Sequence, residues 1–278
     1  MDASRNGRYA ASHGRREQSR PAEECGLTLV EALGIAGDDV VALVGGGGKT
    51  AAMFRLAREI AARGGQAITT TTTRIFAAQI ALAPAHVTAT EVTRDRILAA
   101  LASHRQVLVI GDADGTGKAA GISLDLFARL REWCPGICVV NEADGSRMRP
   151  LKAPADHEPV IPATTTLVVP VVGADVFGQS LDAEHVHRPE RVSALSGTPI
   201  GEPITPEVVA RVLAHPAGGG KNVPARARVV ALINKVESPL DHELAREAAA
   251  NLLRESTVEA VVLACVRREK PVLEVCTR

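Results

Sequence analysis

The chain has 278 residues with 32 basic and 32 acidic side chains, a formal charge of zero that gives no electrostatic case for nucleic acid or an anionic membrane as partner. Aromatic residues make up 2% of it, too few for the stacking platforms on which single-stranded nucleic acids are held. With 46% apolar residues and almost no rings, the core has to be built from Ala, Val, Leu and Ile, as in parallel strands covered by helices.

In chain order, residues 1–25 place Arg5, Arg8, Arg15, Arg16 and Arg20 among small polar residues. They offer little apolar surface to offset ordering, so a disordered arm is expected there, followed by a single nucleotide-binding α/β domain over 26–278. A short amphipathic helix is predicted from Leu27 to Leu33, then a buried strand at Val40–Val44 and a helix from Thr50 to Ala62. Further strands are predicted at 66–70, 106–110, 137–141, 165–172, 228–233 and 258–265, and helices at 91–103, 123–133 and 242–253, with another opening at Thr205-Pro206-Glu207. This alternation means βαβ units and a three-layer α/β sandwich with a mostly parallel sheet. The cysteines (Cys25, Cys134, Cys138, Cys265 and Cys276) are odd in number and irregularly spaced, so reduced thiols are expected; Cys134 and Cys138 read as packing. No apolar run long enough to span a bilayer occurs, and a cytoplasmic protein is expected.

The run Gly45-Gly46-Gly47-Gly48-Lys49-Thr50 lies between a predicted strand and a predicted helix. That context makes a phosphate-binding P-loop. Glycines let backbone N–H groups turn toward an anion, Lys49 reaches the outer phosphates, Thr50 ligates Mg²⁺, and the helix adds its dipole. The first glycine of the usual G-x-x-x-x-G-K-[ST] pattern is replaced by Leu43, so the loop resembles the shortened form of Mur-ligase-type ATPases. A second run, Gly218-Gly219-Gly220-Lys221, lacks a preceding strand and reads as a flexible connection.

Thr69 to Thr73, followed by Arg74, ends the second predicted strand, where ligands of a parallel sheet gather. The hydroxyls of Thr72 and Thr73 would hold Mg²⁺ or a γ-phosphate, and Arg74 would neutralise charge developing in transfer. The apolar strand into Asn141-Glu142-Ala143-Asp144-Gly145 delivers Glu142 and Asp144 as a Walker B element needs. The Glu142-x-x-Gly145 spacing resembles the switch of metallochaperone GTPases. Asn234-Lys235-Val236-Glu237 resembles the N-K-x-D guanine reader with Glu in place of Asp, which favours GTP over ATP and leaves the choice open. Asp112 and Asp114 read equally as site acids or as a solvated turn. The Pro-rich stretch 150–159 carries Lys152, His157 and Glu158 and would face a second substrate or a client; His157 and Glu158 with His185, His187 and Arg188 read as a phosphate or metal site on the same loop side. Zinc spacing is absent.

Taken together, the glycine loop, the threonine run with Arg74, Glu142 to Ser146, the stretch Pro150 to Pro162, His187-Arg188-Pro189-Glu190 and Asn234-Lys235 resemble the YqeC family over roughly residues 27–270. Its members are described as accessory proteins of selenium-dependent molybdenum hydroxylases. The resemblance implies a role in selenium cofactor biosynthesis or hydroxylase maturation, with a client hydroxylase or a cofactor intermediate as partner. The expectation is therefore a Mg²⁺-dependent NTPase, GTP preferred. Alternatives are a nucleotide-gated chaperone with little hydrolysis, or an ATP-dependent ligase or kinase acting on a small molecule.

Overall fold

A computed structural model describes residues 26–278; the expected N-terminal arm and Cys25 lie outside the described residues. Nine strands form one sheet: β1 (Val40–Gly45), β2 (Ala67–Thr71), β3 (His86–Thr88), β4 (Gln106–Ile110), β5 (Cys138–Glu142), β6 (Leu167–Gly173), β7 (Arg228–Asn234), β8 (Ala260–Ala264) and β9 (Val272–Thr277). Their spatial order is β9-β8-β7-β6-β1-β5-β2-β4-β3. All neighbours are parallel except β8 and β9. Parallel pairs need crossovers, and the connections carry helices α1 (Leu29–Ala32), α2 (Lys49–Ala62), α3 (Arg94–His104), α4 (Leu124–Trp133), α5 (Pro189–Ser196), α6 (Pro206–Ala214) and α7 (Pro239–Glu255).

Side chains alternate across a strand, and β1 shows where each face goes. Val41 and Leu43 join a core with α1 and α2 residues such as Leu29, Met53 and Leu56, and with Val169 and Leu232. Val40 points the other way, into a cluster with Ile97 of α3 and Phe127 of α4. On that same face Val172 and Ile233 pack with Val209 of α6 and Ala249 of α7, while Ala42 and Val44 are covered by Ile161 and Ala227 from loops. The result is three layers, helices on both faces of a mostly parallel sheet, as expected. Cys134 and Cys138 are free and buried, as the packing reading requires.

Elements beyond the predicted set are short or at edges. The strand at β3, helix α5 and the antiparallel β9 were not anticipated from the pattern. Helix α7 starts earlier than predicted, because Ser238 caps it, Pro239 occupies the first turn and Asp241 closes a capping box. Gly218–Gly220 corrects the flexible-connection reading. The run turns tightly back on α6, with Gly218 N–H donating to His215 O at 2.8 Å and Gly219 N–H to Val212 O at 3.0 Å. A Cβ on Gly218 would meet Val212 O at 2.0 Å, so the turn is packed and requires glycine.

Register sets the site. Leu43 of β1 lies opposite Glu142 of β5, and Gly45 lies opposite Val171 of β6. Three central strands therefore end at one level, and their carboxyl ends deliver the glycine loop and both acids to the edge where ligands of such sheets bind.

Candidate functional site at the carboxyl edge of the sheet

The glycine loop is crowded on every side. Gly45, Gly47 and Gly48 have φ of +94°, +71° and +113°, conformations that favour glycine. A Cβ on Gly47 would meet Gly173 N at 2.0 Å, and one on Gly46 would meet Arg149 O at 2.6 Å. Three of the N–H groups expected to face an anion are spent on the protein: Gly45 N–H donates to the Asp144 carboxylate at 3.0 Å, Gly46 N–H to Val171 O at 2.8 Å and Gly47 N–H to Arg149 O at 3.1 Å. The donors left are those of the first turn of α2, which starts at Lys49 with Gly48 at its N-cap and no side-chain cap. The free N–H groups and the dipole at the first turn of a helix favour negative charge there.

Lys49, Thr50, Glu142 and Asp144 converge there. Lys49 is buried; its Nζ donates to Gly45 O at 2.5 Å and lies 3.3 Å from Asp144 Oδ1 and 3.7 Å from Glu142 Oε1. The Thr50 hydroxyl donates to Glu142 Oε2 at 2.7 Å. Asp144 accepts from Gly45 N–H at 3.0 and 3.1 Å. Burial pushes the Glu142 carboxyl above the usual carboxylate range, against the pull of Lys49 and Thr50.

From Asp144 an ion chain runs outward. Lys152, fully buried on a two-residue strand Leu151–Lys152, reaches Asp144 Oδ2 at 3.0 Å, Gly145 O at 2.7 Å and Glu158 Oε2 at 2.8 Å. Arg188 closes on Glu158 at 2.8 and 3.3 Å. Burial alone would raise the Glu158 carboxyl, but hydrogen bonds from Lys152 and Arg188 outweigh it and hold it down at about 2. His187 precedes Arg188 on a strand, Val186–His187, that pairs in parallel with Leu151–Lys152. Lys221 and Asn222, after the packed glycine turn, tie this loop down by donating to Ala155 O at 2.6 Å and Pro159 O at 2.9 Å.

Other expected site residues are placed differently. Thr69, Thr70, Thr71 and Thr72 all donate their hydroxyls to backbone carbonyls of neighbouring segments, Thr72 to Val160 O at 2.7 Å. The threonine run thus knits the sheet, and Thr73, facing Gly145, is the member whose hydroxyl is not spent in this way. Arg74 is exposed at the entry to a small antiparallel ribbon that begins at Ile75. His157 is exposed. His185 pairs with Asp182 at 2.9 Å. Asn234, the expected base reader, is buried, with its Nδ2 donating to Gly47 O at 2.8 Å and its Oδ1 accepting from Val266 N–H at 3.0 Å, so the carboxamide braces the glycine loop from inside. Lys235 pairs with Asp175 at 2.6 Å, and Glu237 is exposed beyond the end of β7.

Two participants escaped the sequence reading. Asp175, two residues past the end of β6, is an acid at a strand tip, the same signal that identified Glu142. Asn141 is fully buried beside Glu142, with Nδ2 donating to Thr72 Oγ1 at 3.3 Å and Oδ1 unpartnered. The cleft by Gly45, Asp144 and Lys152 encloses only about 10 Å³. A groove of about 1160 Å³ runs between α7 and β9 and includes Glu237 and Arg268, and none of the glycine loop lines it.

The fold and this edge define an α/β protein whose glycine-rich loop, Lys49 and strand-tip acids meet at the carboxyl end of a mostly parallel sheet. The YqeC family model, described as YqeC protein, matches residues 41–190, which span the loop, both acids and the Lys152–Arg188 chain. An Escherichia coli (strain K12) protein described as Uncharacterized protein YqeC is 34% identical over 230 residues, covering 81% of this chain and 86% of its own length. The chain belongs to the YqeC family. No described helix is long and apolar enough to cross a membrane.

Proposed function

We propose that the protein is a Mg²⁺-dependent P-loop NTPase that prefers GTP and assists selenium cofactor biosynthesis or the maturation of selenium-dependent molybdenum hydroxylases. The observation that carries the nucleotide reading is the convergence of Lys49, Thr50, Glu142 and Asp144 on the first turn of α2. The N–H groups of that turn and Lys49 would bind the phosphates. The Thr50 hydroxyl and the Glu142 carboxylate, already in contact at 2.7 Å, fit Mg²⁺, which is commonly held by one or two protein oxygens together with phosphate and water. The ion would offset phosphate charge developing in transfer. With Asn234 engaged as a brace, the exposed Glu237 carboxylate is the group left to accept from guanine. The selenium and molybdenum role rests on family resemblance.

A second reading, a nucleotide-gated chaperone with little hydrolysis, draws on the ion chain that links Asp144 through Lys152 and Glu158 to Arg188. Equilibrium binding of Mg-GTP and Mg-ATP to the wild type and to Lys49→Met, followed by turnover with and without a client hydroxylase, tests both. Tight GTP binding lost in the variant, with steady turnover, supports the NTPase; turnover that stays silent without client supports the gate. Failure of either nucleotide to bind the folded wild type overturns both.

A further inference from the structure

The two edges of the sheet are unlike. β3 closes one of them with three residues, the short form by which natural sheets discourage further pairing. β9 forms the other with six, Val272 to Thr277, paired with β8 along one side and, among the described residues, with no strand along the other. It holds no Lys or Pro, the residues that commonly guard such an edge. Its single charged residue, Glu274, is turned onto α7, 3.2 Å from Arg246 Nε. The groove of about 1160 Å³ lies along this strand, where Leu253, Leu273 and Cys276 line it together with Glu243 and Glu247 of α7. Both of those glutamates are exposed, and among the described residues neither has a hydrogen-bond or ion-pair partner. The cations of the groove lie elsewhere: Arg246 is committed to Glu274, Arg268 donates to Glu237 O at 2.9 Å, and Lys270 is on the loop before β9. Unmatched negative charge thus stands over an unguarded strand edge.

We propose that this groove docks an extended segment of a partner protein, which adds to β9 as a tenth strand and carries basic residues at two alternate positions. Main-chain hydrogen bonds to the open edge supply affinity, and alternate side chains supply specificity. Spacing sets the pattern. Glu243 and Glu247 are four residues apart on a helix, about 6 Å along its axis. Alternate residues of a strand face the same side about 6.7 Å apart. A basic residue, any residue and a second basic residue therefore meet both acids. A second copy of this chain lacks that pattern, because Val272 to Thr277 offers only Glu274 where two cations are needed. The docking surface does not depend on the nucleotide reading.

The test titrates the full chain into a fluorescein-labelled peptide, Thr-Val-Lys-Val-Lys-Val-Thr, read by anisotropy, beside the same peptide with Glu at both Lys positions. The Lys peptide is expected to bind about tenfold or more tightly than the Glu peptide, and to slow amide hydrogen exchange in β9 but not in β3. The double variant Glu243→Lys/Glu247→Lys changes only exposed side chains and should keep the wild-type melt while losing about tenfold in affinity for the Lys peptide. Equal binding of the two peptides, undiminished affinity in the double variant, unaltered exchange in β9, or no binding of the Lys peptide overturns the proposal. Sedimentation of the chain without peptide reads the rival occupant. A dimer whose β9 amides become protected as chain concentration rises gives the edge to a second copy and also overturns it.

Discussion

Replacing Lys152 with Met removes the ammonium that joins the two halves of the site while keeping most of the stem's volume. The side chain is 0% exposed and Asp144 is 2% exposed, so no water replaces the lost partner. Breaking one member out of a buried ion pair costs about 3–5 kcal/mol. The lower end applies, because Asp144 keeps Lys49 at 3.3 Å and the Gly45 N–H at 3.0 Å, and Glu158 keeps Arg188 at 2.8 Å. A loss of about 3 kcal/mol lowers the melting midpoint by roughly 6–12 °C for a chain of this size. Circular-dichroism melts and urea titrations measure it. A single-variant loss below about 1 kcal/mol would refute the argument that this chain is buried and mutually dependent.

Asn234→Ala strands the Gly47 carbonyl and the Val266 N–H, at about 1–3 kcal/mol for each buried group; as a brace it should weaken GTP and ATP binding by the same factor, and a loss confined to GTP would instead support base reading. Gly47→Ala places a Cβ 2.0 Å from the Gly173 nitrogen and should fail to give a cooperative melt, while Gly64→Ala, with φ of +83° and nothing within 4 Å, should cost only about 1 kcal/mol. Comparable losses would remove the crowding argument. Acid should destabilise the fold in two windows. His187 is depressed to about 4, so the unfolded chain binds its proton first and stability falls as pH drops from about 6.5 to 4. Glu158 is depressed to about 2, so its contribution is present above its unfolded pKa and is lost as pH falls from about 4.3 toward 2. Urea midpoints against pH should flatten in the upper window for His187→Gln, and an unaltered profile would contradict the placement of that ring.

The parts of this fold legible in the sequence are those whose pattern is local. The apolar runs of the central strands and the alternation with helices mark the parallel sheet, and Gly45 to Thr50, set between a strand and a helix, announces the loop. Edge strand β9 was hidden because Val272 to Thr277 is only half-buried along most of its length and pairs antiparallel, so neither a continuous apolar run nor a crossover signals it. Helix α5 follows Arg188 in a left-handed conformation and spans only 8 residues, too short for a periodic signal. Within the site, Lys49, Thr50, Glu142 and Asp144 could be named because each sits at a strand or helix end. What they touch could not: Asn234 meets Gly47 across 187 positions, and Arg188 meets Glu158 across 30. Threonines 69 to 72 misled for the same reason, since a hydroxyl's partner is a tertiary fact.

Asp144 accepts from the Gly45 N–H and also lies against Lys49. Its carboxylate is therefore a tethered rival for any anion that comes to the loop. The affinity such an anion displays is its intrinsic affinity diminished by the fraction of molecules in which the tether is seated. Neutralising the rival with Asp144→Asn would tighten capture while slackening the pull on Lys152. Sensitivity to the ligand and transmission of its arrival are thus set against each other in a single side chain.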